Sequence, residues 1–275
     1  MRGKGVMRIV ERSALILVLL FALSPLLIAI STSLKTTAEI VSDPLGFPRS
    51  FYFANYIDAI VVTNLGRAFL TSTILTVGTV LGVFITATPA AYALSKIKFP
   101  GGPFLMAYVF FSTTIPAQIF IIPLFHIFAR IGFVNSLPGL ILIYIAVFSP
   151  FAMLLMRSYF INTPDELFDA ALVDGASRWQ AFWRVIVPVV RPGIAIAMVI
   201  VAMGSWNQFL LPRTFLLDPR MQTVTLALVS LQGQWTVEWG MLFAVAILIS
   251  LPILIMFILL HRQISAGLAS TGLKR

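Results

Sequence analysis

Six stretches of the sequence are apolar enough and long enough to cross a membrane. They cover approximately residues 14–30, 68–94, 104–125, 137–156, 193–211 and 241–260. The hydrocarbon core of a bilayer is about 30 Å thick, so a spanning helix needs about 20 predominantly apolar residues. A backbone in lipid must satisfy its own hydrogen bonds, which a helix does within one segment. We therefore expect an all-α, polytopic membrane protein with six transmembrane helices in a single domain over residues 1–275.

The composition agrees with this interpretation and gives an orientation. Of the 275 residues, 59% are hydrophobic and 11% are charged, whereas a soluble domain is typically about a quarter charged. The net charge of +9 therefore need not indicate nucleic acid, because basic loops mark the cytoplasmic side of a membrane protein. If six spans alternate, about two thirds of the 19 Lys and Arg residues fall on the side of both termini. We expect both termini in the cytoplasm, lipid around the spans and no nucleic-acid partner.

Residues that several chemistries require are missing from the sequence. There is no cysteine, which excludes disulfides and thiol chemistry. His126 and His261 are the two histidines and lie far apart, without metal-binding spacing. No G-x-x-x-x-G-K-[ST] phosphate-binding loop occurs. We therefore expect no catalytic residue, no metal site and no cofactor bound by this chain itself.

A polar segment at 163–192 interrupts the apolar sequence on the predicted cytoplasmic side. Thr163 is followed by Pro164 and, three residues after the threonine, by Glu166, which predicts a capping box with proline at the first helical position. Gly175 is expected to end this helix, because glycine adopts the left-handed conformation without strain. The segment therefore begins with a short helix that is closed by a glycine.

A second short helix is predicted directly after the first. Ser177 and Gln180 repeat the capping pattern, and the helix should run to about Pro188. Both helices are amphipathic: the first places Leu167, Ala170, Ala171 and Asp174 near one face, and the second has an apolar face of Trp179, Phe182, Trp183 and Ile186. The periodicity fits a helix pair on lipid headgroups and a docking element for a cytoplasmic partner equally well.

The order of residues in this segment resembles the EAA loop of ABC-importer permeases. The family pattern is EAA, three residues, G, nine residues and I-x-L-P; this chain has Asp169-Ala170-Ala171, Gly175, Val185 and Val187-Pro188. Three positions depart from the pattern but keep its chemical type. In that family the loop carries the coupling helix, which inserts into a cleft on the ATPase subunit. The resemblance implies a coupling role for Glu166, Asp169, Ala170, Ala171, Asp174, Gly175 and Pro188.

Further stretches along the chain are similar to sugar importers of the maltose-permease type. In order, they are Ser33-Leu34-Lys35, Asn55-Tyr56, 90–94 leading to 99–101, 122–124 leading to 132–135, 206–210 and Gly267-Leu268. The end of the chain departs from the usual Gly-Ala-x-Lys-Gly, because residues 271–275 keep only the lysine. Each stretch alone is weak evidence, whereas the ordered set covers nearly the whole chain.

The resemblance implies a complete import machine in the cytoplasmic membrane of a prokaryote. A second permease subunit would complete the pathway, and an ATP-binding cassette ATPase dimer would use ATP and Mg. An extracytoplasmic substrate-binding protein would deliver the carbohydrate substrate. ATP binding would close the ATPase dimer and switch the permease between inward-facing and outward-facing states, as ligands bias any two-state element.

Polar residues within or beside the spans are the candidates for a translocation path. Trp206, Asn207 and Gln208 lie near the outer end of the fifth span, and Gln118 and Tyr144 lie in the third and fourth. Polar side chains at membrane depth usually face a cavity or a neighbouring helix. Both alternatives are open for this set, and Trp206 also fits an interfacial anchor.

Two other functions remain as alternatives. A secondary transporter often has ionisable residues within its spans and internal repeats, and neither is evident in this sequence. An accessory membrane scaffold protein would use the segment at 163–192 merely to dock a partner. Co-purification with an ATPase whose turnover responds to substrate would separate the importer from both alternatives.

Overall fold

The computed structural model describes residues 2–232 and 238–272, with side chains over 11–232 and 238–259. Within these ranges all regular structure is helical, which confirms the all-α prediction. The α-helices are α1 (Arg2–Ser33), α2 (Thr37–Ser42), α3 (Ala54–Val62), α4 (Leu65–Lys96), α5 (Gly102–Thr114), α6 (Ile121–Arg130), α7 (Leu137–Ile161), α8 (Glu166–Val173), α9 (Arg178–Ala181), α10 (Val187–Val189), α11 (Arg191–Trp206), α12 (Leu210–Phe215), α13 (Val224–Ser230) and α14 (Trp239–Gly272). Residues 273–275, the end of the predicted tail motif, and the side chain of His261 lie outside the described residues.

Four helices are long and apolar enough to cross a membrane. They are α4, α7 and the apolar parts of α1 and α14, Glu11–Ser33 and Trp239–Leu259. The third predicted span is instead a helix pair bent by 92° at a short break, and the fifth begins just after a 78° bend between the helical segment Arg178–Val189 and α11. By length and composition, the described residues therefore contain four helices that could span a membrane, or up to six if each bent pair is one span.

The predicted third span at 104–125 is broken rather than kinked. Helix α5 ends at Thr114, and Ile115 and Pro116 are extended, with ψ of 121° and 125°. A 3-10 turn over Ala117–Phe120 then leads into α6. Proline forces the residue before it out of the helical region and cannot donate to the helix, which accounts for the break at Pro116.

The predicted fifth span at 193–211 is also shorter than expected. Helix α11 begins at Arg191 and ends at Trp206, and α12 starts only at Leu210. Asn207 is the C-terminal cap of α11, and both its backbone amide and its side-chain amide donate to the carbonyl of Met203, at 3.1 and 3.0 Å. An asparagine side chain that competes for backbone groups favours helix ends over helix interiors.

The chain divides into two compact units, and the first contains residues up to Gly66 and the described part of Ala227–Leu251. A polar network joins the two motifs predicted there. The Asn55 side-chain amide donates to the carbonyls of Ser33 and Lys35 at 2.9 and 2.8 Å, and the Tyr56 hydroxyl lies 2.7 Å from the Ser33 hydroxyl. Lys35 is fully buried and donates to the carbonyl of Asp43 at 2.9 Å. The network therefore fixes the end of α1 to α3.

The second unit contains Arg67–Leu226 and the described residues from Pro252 onward. Glycines let two of its long helices approach closely, because a side chain on Gly78 or Gly82 of α4 would collide with Ile141 or Ile145 of α7. One apolar core joins α4, α7, the loop helices and α11 around Val83, Ala152, Met156, Phe160, Phe182, Ile186 and Ala197. A second core gathers Leu75, Leu140, Ile143, Tyr144, Leu211 and Phe215.

Candidate coupling site and translocation path

The first loop helix begins later than the sequence predicted. Helix α8 starts at Glu166 with Asp165 as its N-cap, and no side chain caps it. The predictions that Thr163 forms a capping box and that Pro164 takes the first helical position were therefore wrong. The Thr163 hydroxyl instead donates back to the carbonyl of Tyr159 at 3.2 Å. Thr163 therefore completes the end of α7, because a threonine side chain can bond the carbonyl four residues earlier.

Gly175 ends α8 as predicted. Its φ is +85°, in the left-handed region, and its amide donates to the carbonyl of Leu172 at 3.0 Å. The next amide, of Ala176, donates to the carbonyl of Ala171 at 3.0 Å. These two bonds form a Schellman motif, which satisfies the last carbonyls of the helix. A Cβ at Gly175 would meet nothing within 4 Å, so the turn is open on its outer side.

The second loop helix begins with the predicted capping box. The Ser177 hydroxyl accepts from the amide of Gln180 at 3.2 Å, and the Gln180 side chain accepts from the amide of Ser177 at 2.9 Å. Helix α9 passes through a π-helical turn, Phe182–Ile186, into α10, which ends at Val189, one residue beyond Pro188. Pro188 lacks an amide hydrogen and its ring crowds the preceding turn, so the wider π turn relieves the clash.

The apolar face of the second loop helix is packed against the same chain. Phe182 and Ile186 are 4% and 2% exposed and lie in the core with Met156 and Phe160. The Phe182 ring lies 5.0 Å from the ring of Tyr92. This face is therefore available neither to lipid headgroups nor to a partner, and periodicity alone could not show this. Trp179 departs from the pattern and is 65% exposed.

The predicted coupling residues lie mainly on the exposed side of the loop helices. Glu166, Asp169, Ala170, Asp174, Gly175 and Pro188 are all exposed. Ala171 is buried at 8% exposure and faces the chain's own helices. Val173, which sequence reasoning passed over, is 87% exposed beside them. Apart from Pro188, which lies in α10, the exposed residues form the outer surface of α8 and its C-terminal turn.

A cavity of about 650 Å³ lies between the end of α4 and the loop helices, and it carries charges of both signs. Its lining includes the cations Lys96, Lys98 and Arg178 and the carboxylates Asp165 and Asp169. The Lys96 ammonium forms an ion pair with Asp165 at 2.8 Å and donates to the carbonyl of Thr163 at 2.6 Å. No sequence pattern indicates these contacts, because α4 and the loop are far apart along the chain.

The residues predicted for the end of the fifth span differ in their surroundings. Trp206 is buried at 7% exposure, and its ring lies 5.7 Å from that of Phe69. Asn207 is exposed, although its side-chain amide bonds within its own helix. Gln208 is half-buried, and its carbonyl accepts from the Thr225 hydroxyl at 2.7 Å.

The two remaining path candidates lie in different environments. Tyr144 is fully buried in the second apolar core of its unit. Gln118 is exposed in the 3-10 turn between α5 and α6, and it lines a cavity of about 670 Å³. That cavity is largely apolar, with Phe120, Phe128 and Phe151 among its residues, and none of the other four candidates lines it. The structure therefore does not gather the five candidates around one cavity.

The family model described as "Binding-protein-dependent transport system inner membrane component" matches residues 78–268. This chain belongs to that family. As a family member it is a permease subunit of a transport system, rather than an enzyme, and a multi-pass protein of the inner membrane. The match covers α8, Gly175 and the whole segment at 163–192.

Individual proteins resemble this permease over almost all of its length. It is 34% identical to the diacetylchitobiose uptake system permease protein NgcG of Streptomyces coelicolor, over 96% of this chain and 87% of that protein. It is 33% identical to the trehalose transport system permease protein SugB of Mycobacterium tuberculosis, over 94% of both chains. Among solved structures, a chain of a bacterial ABC transporter involved in alginate import matches with a TM-score of 0.81 at 21% identity, covering 95% of this permease and 98% of that chain. The latter similarity establishes the shared fold.

Within the described part of the permease, no group of three or more His, Asp or Glu side chains is placed to hold a metal ion. The charged residues at the loop helices instead form the Lys96–Asp165 pair and an exposed acidic surface on α8. Carboxylates near a helix N-terminus are favourable, because they complement the helix dipole. The arrangement suits contact with another protein.

Proposed function

We propose that this permease is a transmembrane subunit of an ATP-driven ABC importer that moves a carbohydrate into the cell by alternating access. The observation that carries the proposal is the exposed surface of α8, which ends at the left-handed Gly175. This surface is joined to the second loop helix, whose apolar face is packed into the core of the chain. A docking element must be exposed to its partner and fixed to the part that it moves, and this segment is both. The names of the relatives support the substrate class, since they include uptake systems for diacetylchitobiose and trehalose.

The proposed assembly contains a second permease subunit, an ATP-binding cassette ATPase dimer and an extracytoplasmic substrate-binding protein. ATP and Mg are used by the ATPase, and this chain binds neither. Both termini and the segment at 163–192 lie on the cytoplasmic side of a prokaryotic membrane, which the distribution of Lys and Arg supports. The single transmembrane domain of six spans counts each bent helix pair as one crossing.

We further propose that Gln118, Asn207 and Gln208 face the translocation path. The exposure of the first two residues and the amide chemistry of all three support this, because amides bond well to sugar hydroxyl groups. Tyr144 and Trp206 are buried among apolar residues, so they would pack behind the residues that line the path and would not contact a substrate.

The test is to purify the permease with its co-expressed partners and reconstitute the complex in liposomes. We expect an ATPase to co-purify and its turnover to rise with the binding protein and one of three probes taken from the names of similar permeases: diacetylchitobiose, trehalose or sulfoquinovosyl glycerol. Robust ATP hydrolysis by the purified single chain would contradict the assignment, and so would uptake driven by an ion gradient without ATP.

A further inference from the structure

The C-terminal ends of α4 and α7 are linked by hydrogen bonds from two cationic side chains. Lys96, the last residue of α4, donates to the carbonyl of Thr163 at 2.6 Å and more weakly to that of Ile161 at 3.5 Å. In return, the Arg157 guanidinium of α7 donates to the carbonyl of Leu94 in the last turn of α4, at 3.2 Å. The last carbonyls of a helix have no partner within it, and cations are favourable there. Each helix therefore supplies a cation that hydrogen-bonds to carbonyls at the C-terminal end of the other helix.

Lys96 also reaches the coupling segment itself. Its ammonium lies 2.8 Å from a carboxylate oxygen of Asp165, the N-cap of α8. The same side chain thus contacts α4, the end of α7 and the start of α8. The Lys96 side chain is only 17% exposed, whereas that of Asp165 is 76% exposed. An ion pair with one exposed partner is weak, so the bond to the Thr163 carbonyl carries most of the attachment.

We propose that Lys96 is the positioning residue that attaches the coupling helix to α4 and α7, so that displacement of α8 by the ATPase reaches both long helices. This inference rests on the proposed function, because it gives the coupling surface a connection into the membrane part. Only two residues, Thr163 and Pro164, lie between Asn162, the C-cap of α7, and the N-cap of α8. Without Lys96, α8 would remain joined to α7 through this short connection and would keep the ring contact between Phe168 and Tyr92 of α4, at 6.0 Å, but would lose its polar attachment to the end of α4.

The variants follow from the contacts. Lys96→Met keeps the length and apolar stem of the side chain but removes all three bonds. Lys96→Arg keeps a cation that can reach the same carbonyls and should restore the attachment. Lys98→Met is the matched control, because Lys98 lines the same cavity but is exposed. Asp165→Asn removes one charge of an exposed pair, so its effect should be much smaller than that of Lys96→Met.

The experiment is hydrogen exchange on the assembled complex with and without AMP-PNP, which needs no knowledge of the transported substrate. In the native complex and in Lys98→Met, AMP-PNP should change exchange in α8 and also in the last turns of α4 and α7. In Lys96→Met the change in α8 should persist, while the change at the end of α4 should fall by at least about threefold. Lys96→Arg should respond as the native complex does.

Three results would decide against the inference. The first is an AMP-PNP response at the end of α4 in Lys96→Met equal to that of the native complex. The second is an equal loss in Lys98→Met. The third is failure of both Lys96→Met and Asp165→Asn to recover the ATPase, which would make the pair a requirement for assembly rather than for transmission. Absence of any AMP-PNP response or ATPase in the native preparation would instead count against the proposed importer and is distinguishable from these.

Discussion

Gly240, near the start of α14, lies directly against the side-chain amide of Asn55 in α3. A Cβ built on Gly240 would overlap the amide nitrogen of Asn55 and would also crowd the carbonyl oxygen of Lys35. That amide nitrogen holds the carbonyls of Ser33 and Lys35 together. The absence of a side chain at Gly240 is therefore a requirement of the buried polar network in the first unit.

We expect Gly240→Ala to destabilise the protein by about 1–3 kcal/mol, because overpacking a buried site forces neighbouring groups to shift. Thermal unfolding of the purified permease would measure this as a lower Tm. Gly66→Ala is the matched control, since a Cβ at that helical glycine meets nothing within 4 Å and alanine favours helix more than glycine does. Equal Tm values for the two variants would contradict the overlap.

Substitutions at Gly175 can separate the effect of backbone strain from the effect of side-chain volume at the proposed docking surface. Asparagine tolerates the left-handed conformation better than other residues with side chains, and within this chain the space around Gly175 is open. We therefore expect Gly175→Asn to leave the isolated permease folded but to reduce ATPase recovery and uptake, because the side chain enters the space of the partner. Gly175→Val adds a left-handed penalty of about 1 kcal/mol and should be worse.

The control for this pair is Gly101→Asn, at a glycine with the same φ of +85° and equally open surroundings. That variant should keep normal ATPase recovery and uptake. Full uptake by Gly175→Asn together with an intact complex would show that the α8 turn does not approach another chain.

Asn207 is the most direct test of the proposed path. Its side-chain amide bonds only within its own helix, to Met203, among the contacts that the structure describes, so Asn207→Leu should cost little stability. We expect assembly to persist while the uptake rate falls severalfold, because a hydrogen-bonding group for the substrate is lost. Thr214→Val removes a similar bond, from the Thr214 hydroxyl to the carbonyl of Leu210, and serves as the control. Unchanged uptake in Asn207→Leu would place the residue outside the path.

The orientation can be tested by cysteine labelling, since the sequence contains no cysteine. Cysteines at Ser50 and Val173, both exposed, should react with a membrane-impermeant maleimide from opposite sides, with Val173 on the cytoplasmic side. Val173 is preferable to Ser177, whose hydroxyl caps α9. In intact cells, reaction at both positions would refute the proposed topology, and reaction at Val173 alone would reverse it.

Local signals explain what the sequence predicted well. The Ser177–Gln180 capping box and the left-handed Gly175 each depend on residues within a single turn, so their pattern is visible in the sequence. The Thr163 capping box failed for a non-local reason. The end of α7 uses the Thr163 hydroxyl, and Lys96 of α4 binds its carbonyl. The same residue types therefore completed the preceding helix instead of starting a new one.

The bent spans show a second limit of sequence reasoning. A proline inside an apolar stretch, such as Pro116, fits both a kinked and a broken helix, and hydropathy could not distinguish a kink from the 92° break that the structure contains. Apolar residues continue on both sides of Pro116, which is why a single span was predicted. Similarly, the apolar face of the second loop helix was visible in the sequence, while the surface that covers it is assembled from α4 and α7.

The junction between the second loop helix and α11 has a mechanical consequence. The two helices meet at 78° across a single residue, Val190, which is 3% exposed. Pro188 and Pro192 flank this elbow, and their rings fix the backbone on either side. A junction this short and this tightly packed leaves little room for the angle between the two helices to change. Displacement of the second loop helix by a partner would therefore turn α11 with it, and Trp206 and Asn207 at the C-terminal end of α11 would move most.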